Sequence, residues 1–136
     1  MLKIESYSNF ILSDISFNLD NGKNLIILGS NGTGKTTLAK AISGIIQNNS
    51  ITVDKLNPSN THGEIKTKLI NYIPSKLEIY DEYLSVFEYL ELSDLYSNCT
   101  IDEVLELLDI TYLSKQSCKY LSSGESQLLL IASAIL

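Results

Sequence analysis

Arginine and tryptophan are absent from this 136-residue sequence, and proline, cysteine and histidine are scarce. Each shortage excludes something. The two cysteines, Cys99 and Cys118, form no CxxC pair, and the single histidine, His62, stands far from both. That set excludes the common zinc sites, so no structural metal is expected. Two unpatterned cysteines also fit a reducing cytoplasm. The longest apolar stretch, Leu128 to Leu136, contains Ser133 and falls short of the roughly 20 residues that span a bilayer. Near the start, Glu5, Ser6 and Asn9 interrupt any apolar run, so no signal peptide is read. Ten basic residues against sixteen acidic ones give a formal charge of -6. This balance disfavours broad contact with nucleic-acid phosphates, and no nucleic-acid partner is expected. It leaves room for one local anion site built from backbone amides.

What is present is a globular composition, 44% apolar, with room for one modest core. Leu2 to Glu5 alternates apolar and polar residues. So does Ile11 to Leu19, with Ile15, Phe17 and Leu19 on one face, and both read as strands. Asp20-Asn21-Gly22 is a turn signal. Asn24 to Leu28 is a short apolar run that predicts a strand buried on both faces. Beyond residue 36, Leu38, Ala41, Ile42 and Ile45 fall at helical spacing, with Gly44 near the helix end. Ile51 to Val53 predicts a short edge strand, Asn57 to Gly63 a loop, and Lys68 to Ile73 a further strand ended by Pro74. Past residue 80 the chain turns helical. Ser85 with Glu88, Thr100 with Glu103, and Ser122 with Glu125 each carry the S/T-x-x-E spacing of a capping box. The second opens a helix with Ile101, Val104, Leu105 and Leu108 on one face.

Between the Asn24–Leu28 run and the first helix lies Gly29-Ser30-Asn31-Gly32-Thr33-Gly34-Lys35-Thr36, which meets the pattern G-x-x-x-x-G-K-[ST]. Glycines let the main chain curl with its N–H groups turned inward, forming a nest for an anion. A helix starting there adds the positive end of its dipole. Lys35 can reach the β- and γ-phosphates of a nucleoside triphosphate, and the Thr36 hydroxyl can ligate magnesium. Thr37 supplies further contact near the α-phosphate. An ordinary strand-to-helix turn is the plainer alternative, and the flanking apolar run and amphipathic helix argue against it. The expected ligands are therefore ATP and Mg²⁺.

A second motif, Leu121-Ser122-Ser123-Gly124-Glu125, precedes the last apolar helix. By itself it is a capping box. It resembles the signature of ATP-binding cassette (ABC) ATPases, written LSGGQ or LSGGE, with Ser123 in place of the first glycine. In combination with the loop at residues 29 to 36, in this order, it points to the nucleotide-binding subunit of an ABC transporter. The resemblance extends along the chain. Leu2 to Leu28 is similar to the opening antiparallel β segment, and Ile70 to Pro74 to the strand before the glutamine loop. Leu84 to Tyr96 is similar to the start of the helical subdomain, and Ile101 to Leu113 to the helix before the signature. Within the family it looks most like cassettes of metal-chelate and other importers.

The resemblance implies an α/β P-loop NTPase fold of the ABC ATPase type. The expected parts are a nucleotide-binding core over residues 1–76, a helical subdomain over 77–120, and the signature with the start of its helix over 121–136. It implies a head-to-tail dimer with a second such domain, in which Ser122, Ser123, Gly124 and Glu125 meet the nucleotide held by the partner. Lys35 would then be catalytic. Transmembrane transporter subunits would hold the protein at the inner, cytoplasmic face of the cell membrane. An aromatic residue stacks on adenine in the family, and Tyr7 is favoured over Phe10 for that place, with strand-face packing as the alternative for both.

The sequence departs from the family in two places. Ser75 stands where the glutamine loop has glutamine, so contact with magnesium there would need a water bridge. The family's Walker B strand, catalytic glutamate and switch histidine follow the signature helix, and this sequence ends inside that helix, so an incomplete sheet is expected. Asp81-Glu82 and Asp109 follow no unbroken apolar strand, and no general base is assigned. Turnover by these residues alone is therefore expected to be poor. The alternatives are a soluble ABC ATPase without a transport role, and a truncated ATP-binding module without hydrolysis. A P-loop kinase would need an arginine-rich lid, which a chain without arginine lacks. That absence also removes any arginine finger.

Overall fold

The structure is a computed structural model and describes residues 1–79, 81–93 and 98–136. Tyr80, and Tyr96 at the end of the Leu84–Tyr96 segment, lie outside the described residues. The chain forms two compact units, Met1–Tyr72 and Ile73–Leu136.

In the first unit, strands β1 (Leu2–Tyr7), β2 (Ile15–Leu19) and β3 (Ile51–Val53) form a sheet in the order β2-β1-β3. Both pairings are antiparallel, with Leu2 opposite Leu19 and Val53, and Ile4 opposite Phe17 and Ile51. The register breaks between Ile4 and Tyr7, where β1 spends an extra residue before Tyr7 meets Ile15. Ser6 takes a left-handed φ of 50° there, and its N–H donates to Ser16 Oγ at 2.8 Å. One inserted residue exchanges the faces of a strand. Ile4 and Tyr7, an odd number of positions apart, therefore both face the core. They are buried with Leu12, Leu38, Ala41 and Ile51.

The bulge corrects one expectation. Strict alternation would send Tyr7 to the face opposite Leu2 and Ile4, free to stack on a base. Tyr7 is instead 3% exposed, and its hydroxyl accepts a hydrogen bond from Asn9 Nδ2 at 2.9 Å. The strand expected from Ile11 is also shorter than expected and begins at Ile15. Asn9 Oδ1 accepts from the N–H groups of Ile11 and Leu12, both at 2.8 Å, and folds residues 9–12 into a turn.

Helix α1 (Lys35–Ile42) buries Leu38 and Ala41. Its end is a Schellman motif. The Gly44 N–H donates to Ala41 O at 3.1 Å and the Ile45 N–H to Lys40 O at 2.9 Å. Gly44 has φ 74°, and a Cβ there would lie 2.4 Å from the Pro58 backbone, so this position accepts only glycine. Ile45 lies past the helix and is exposed.

Two predicted strands form no ladder. Asn24 to Leu28 pairs with no strand among the described residues, and Ile26 and Leu28 are 79% and 87% exposed. Lys68 and Leu69 belong to helix α2 (Gly63–Leu69), which ends at an extended Ile70. A Lys68–Glu64 ion pair and acidic-first, basic-last charge placement support that helix. In both cases an apolar run has β-propensity and no neighbouring strand to pair with.

The second unit holds α3 (Val86–Ser93), α4 (Ile101–Leu107) and α5 (Ser123–Ile135) around Val86, Leu90, Val104, Leu105, Leu113 and Leu129. All three capping boxes are present. Ser85 N–H donates to Glu88 at 2.8 Å, Thr100 N–H to Glu103 at 2.8 Å, and Ser122 N–H to Glu125 at 2.7 Å, with return bonds to each hydroxyl at 3.3 Å. Cys118 lies in this core, and burial pushes its thiol up to about 11. No helix among the described residues is long and apolar enough to cross a membrane.

The capping carboxylates give a pH prediction. Bonds from the Ser85 hydroxyl and N–H hold Glu88 below the ordinary glutamate range. The Thr100 N–H and hydroxyl do so for Glu103, and the Ser122 hydroxyl and N–H for Glu125. A folded-state pKa below the unfolded one gives stability that is present above about 4.3 and lost as pH falls through the lowered value. Circular dichroism should therefore show lower thermal stability of the helices at pH 3 than at pH 7. Ser122→Ala and Thr100→Ala should each cost about 1 kcal/mol at pH 7, and that cost should shrink at pH 3.

Candidate phosphate-binding site

The glycine-rich loop lies in the first unit and is shaped by its glycines. Gly34, the residue before α1, has φ 93°. A Cβ there would lie 2.7 Å from Leu12 Cδ2 and 2.9 Å from Ile11 Cγ2. The loop therefore turns sharply into α1 while seated on the turn that carries Ile11 and Leu12.

Lys35 follows directly. Its ammonium bends back over the loop and donates to the carbonyls of Gly29 at 2.8 Å and Ser30 at 2.6 Å. The Thr33 hydroxyl also donates to Ser30 O, at 2.9 Å. The segment is thus a closed curl with a cation at its mouth. No side chain caps α1, and its first turn holds no acidic residue. The amide end of the helix is left without a competing carboxylate, and the Thr36 side chain is exposed there. These features fit a polyphosphate. The amides supply donors, Lys35 supplies charge, and Thr36 supplies a hard oxygen of the kind magnesium takes.

Phe10 is the residue that sequence reasoning set second. It is 88% exposed, and it precedes Ile11, which touches Gly34. Of the two candidate aromatics Phe10 is therefore the exposed one, while Tyr7 belongs to the core. The local Asn9 turn could have been read from sequence as an Asx turn, but the bulge that buries Tyr7 could not.

The second unit gathers the other expected residues. Ser122 caps α5, Ser123 and Gly124 form its first turn, and the space above Gly124 is open to 4 Å. A cavity of about 410 Å³ is lined by residues 75–77 with Ser123, Gly124, Ser126 and Gln127. Ser75 and the signature segment are thus neighbours. Thr36 and Ser75, both expected near magnesium, fall in different units.

The three-stranded sheet, curled loop and following helix define an α/β protein of the P-loop class. The family model for ABC transporters matches residues 12–136, and the chain belongs to that family. It is similar to the zinc import ATP-binding protein ZnuC of Vibrio vulnificus, at 37% identity over 128 residues, covering 93% of this chain and 45% of that protein. Its fold matches a solved ATP-binding subunit of an ABC transporter with a TM-score of 0.77 at 21% identity, covering 97% of this chain and 60% of the other. It also matches cbiO1 of Clostridium perfringens, part of the ABC transporter complex cbiONQ, with a TM-score of 0.74 at 24% identity and coverage of 98% and 60%. The chain spans about half the length of the curated relative.

Gly34→Ala would place a methyl group against Leu12 in a left-handed backbone. It should cost about 2 kcal/mol in chemical unfolding, more than Gly124→Ala, whose Cβ meets nothing within 4 Å.

Proposed function

We propose that this chain binds ATP with magnesium through Gly29 to Thr37 and serves as the nucleotide-binding part of an ABC transporter. The observation that carries the reading is the Lys35 ammonium held over the Gly29 and Ser30 carbonyls at the start of an uncapped helix.

In this reading the amides of Asn31, Gly32, Thr33 and Gly34 cradle the phosphates. Lys35 turns from the two carbonyls to the β- and γ-phosphate oxygens, where it offsets the charge that builds as the terminal phosphoryl group departs. Thr36 would hold magnesium, which would supply positive charge against the phosphates. Thr37 lies near the α-phosphate. Phe10 replaces Tyr7 as the ring that stacks on adenine, because it is exposed next to the loop. Ser75 would reach magnesium only through water.

Ser122 to Glu125 would meet the nucleotide of a second copy or a second cassette in a head-to-tail pair. In that assembly hydrolysis would drive transport through membrane subunits at the inner face of the membrane. The working segments are residues 1–76, 77–120 and 121–136. The Vibrio vulnificus relative is a zinc import protein, which supports a metal ion or metal chelate as the cargo.

Isothermal calorimetry with ATP and Mg²⁺ checks the site. Lys35→Ala should weaken binding at least about tenfold, the factor carried by 1.4 kcal/mol. Equal binding by Lys35→Ala and the parent contradicts the assignment. Phe10→Ala should weaken ATP several-fold and leave inorganic triphosphate unchanged, whereas Tyr7→Phe should leave both unchanged.

A further inference from the structure

We propose that Gln127 is a positioning residue that ties the segment after Pro74 to the first turns of α5, so that the two shift together. Its Nε2 donates to the carbonyl oxygen of Ser75 at 2.7 Å, across 52 positions of sequence. The bond joins the two segments that line the 410 Å³ cavity.

Three features favour this role. The acceptor is main chain, so the bond does not depend on the side chain at position 75, where this sequence has serine in place of the expected glutamine. The donor is half-buried and lies one turn beyond the Ser122 cap, on a helix whose Leu129, Leu130 and Ala132 are fixed in buried positions. Gly124 adds no side chain to the cavity, so its width follows from how the two segments are held apart. A directional bond between a packed helix and a loop biases the two to shift together. A ligand pressing on Ser123 and Gly124 would therefore displace residues 75–77 as well. This consequence rests on the nucleotide-binding reading, while the bond itself does not.

Hydrogen–deuterium exchange on the whole chain tests the bond. Gln127→Leu keeps the size of the side chain and removes its donor, and should raise exchange at residues 76–79 about fivefold, the factor of one ordinary hydrogen bond. Gln127→Lys, a donor of similar reach, should restore protection. Unchanged exchange in Gln127→Leu overturns the proposal. If that variant fails to fold, the parent decides. Its Gln127 side-chain amide protons should exchange more slowly in NMR than those of exposed Gln47, and equal rates overturn the proposal. Sedimentation with ATP tests the consequence. Gln127→Leu should lose ATP-dependent self-association while keeping its melting temperature and its ATP affinity. Undiminished association would overturn the coupling. A parent that binds no ATP would instead refute the functional reading, and exchange would still decide the bond.

Discussion

A single ammonium group curled onto two carbonyls organises the site. With Lys35 bonded to the carbonyls of Gly29 and Ser30, the loop closes on itself at the head of α1. The closure depends on Gly34, because only a residue without Cβ can turn left-handed against Leu12 and Ile11. The antiparallel sheet contributes indirectly. Its bulge and the Asn9 turn bring Leu12 into the core and set Ile11 and Leu12 under the loop.

The second unit is built from local signals. Three hydroxyl–glutamate caps start its helices, and strand-like bonds lace the approach to α3 onto the approach to α5. Val86 N–H donates to Gln116 O and Cys118 N–H to Leu84 O, both at 2.9 Å. A Lys119–Glu82 ion pair at 2.9 Å joins the same two stretches. Exposed pairs of this kind add little stability, so the fixed position of Ser122 owes more to the backbone bonds and the buried leucines.

Local features were legible in the sequence and non-local ones were not. The capping boxes and the end of α1 at Gly44 each depend on residues within a few positions of one another, and both stand in the structure as the sequence predicts. The fate of Tyr7 depended on a bulge opposite Ser16, a partner ten positions away that no alternation rule foresees. Asn24 to Leu28 has the composition of a buried strand, but a strand is defined by its neighbours, and none pairs with it among the described residues. Lys68 to Ile73 failed for the same reason, and its first two residues went to a helix stabilised by its own charges. The bond between Gln127 and Ser75 carries no sequence signal at all.

The most direct test of the central claim is an NMR titration of the chain with ATP and Mg²⁺. The account predicts that the largest backbone amide shifts fall on Gly32 to Thr37, with the Lys35 side chain leaving the Gly29 and Ser30 carbonyls. Shifts spread evenly over the chain, or an unperturbed loop at saturating nucleotide, would contradict it.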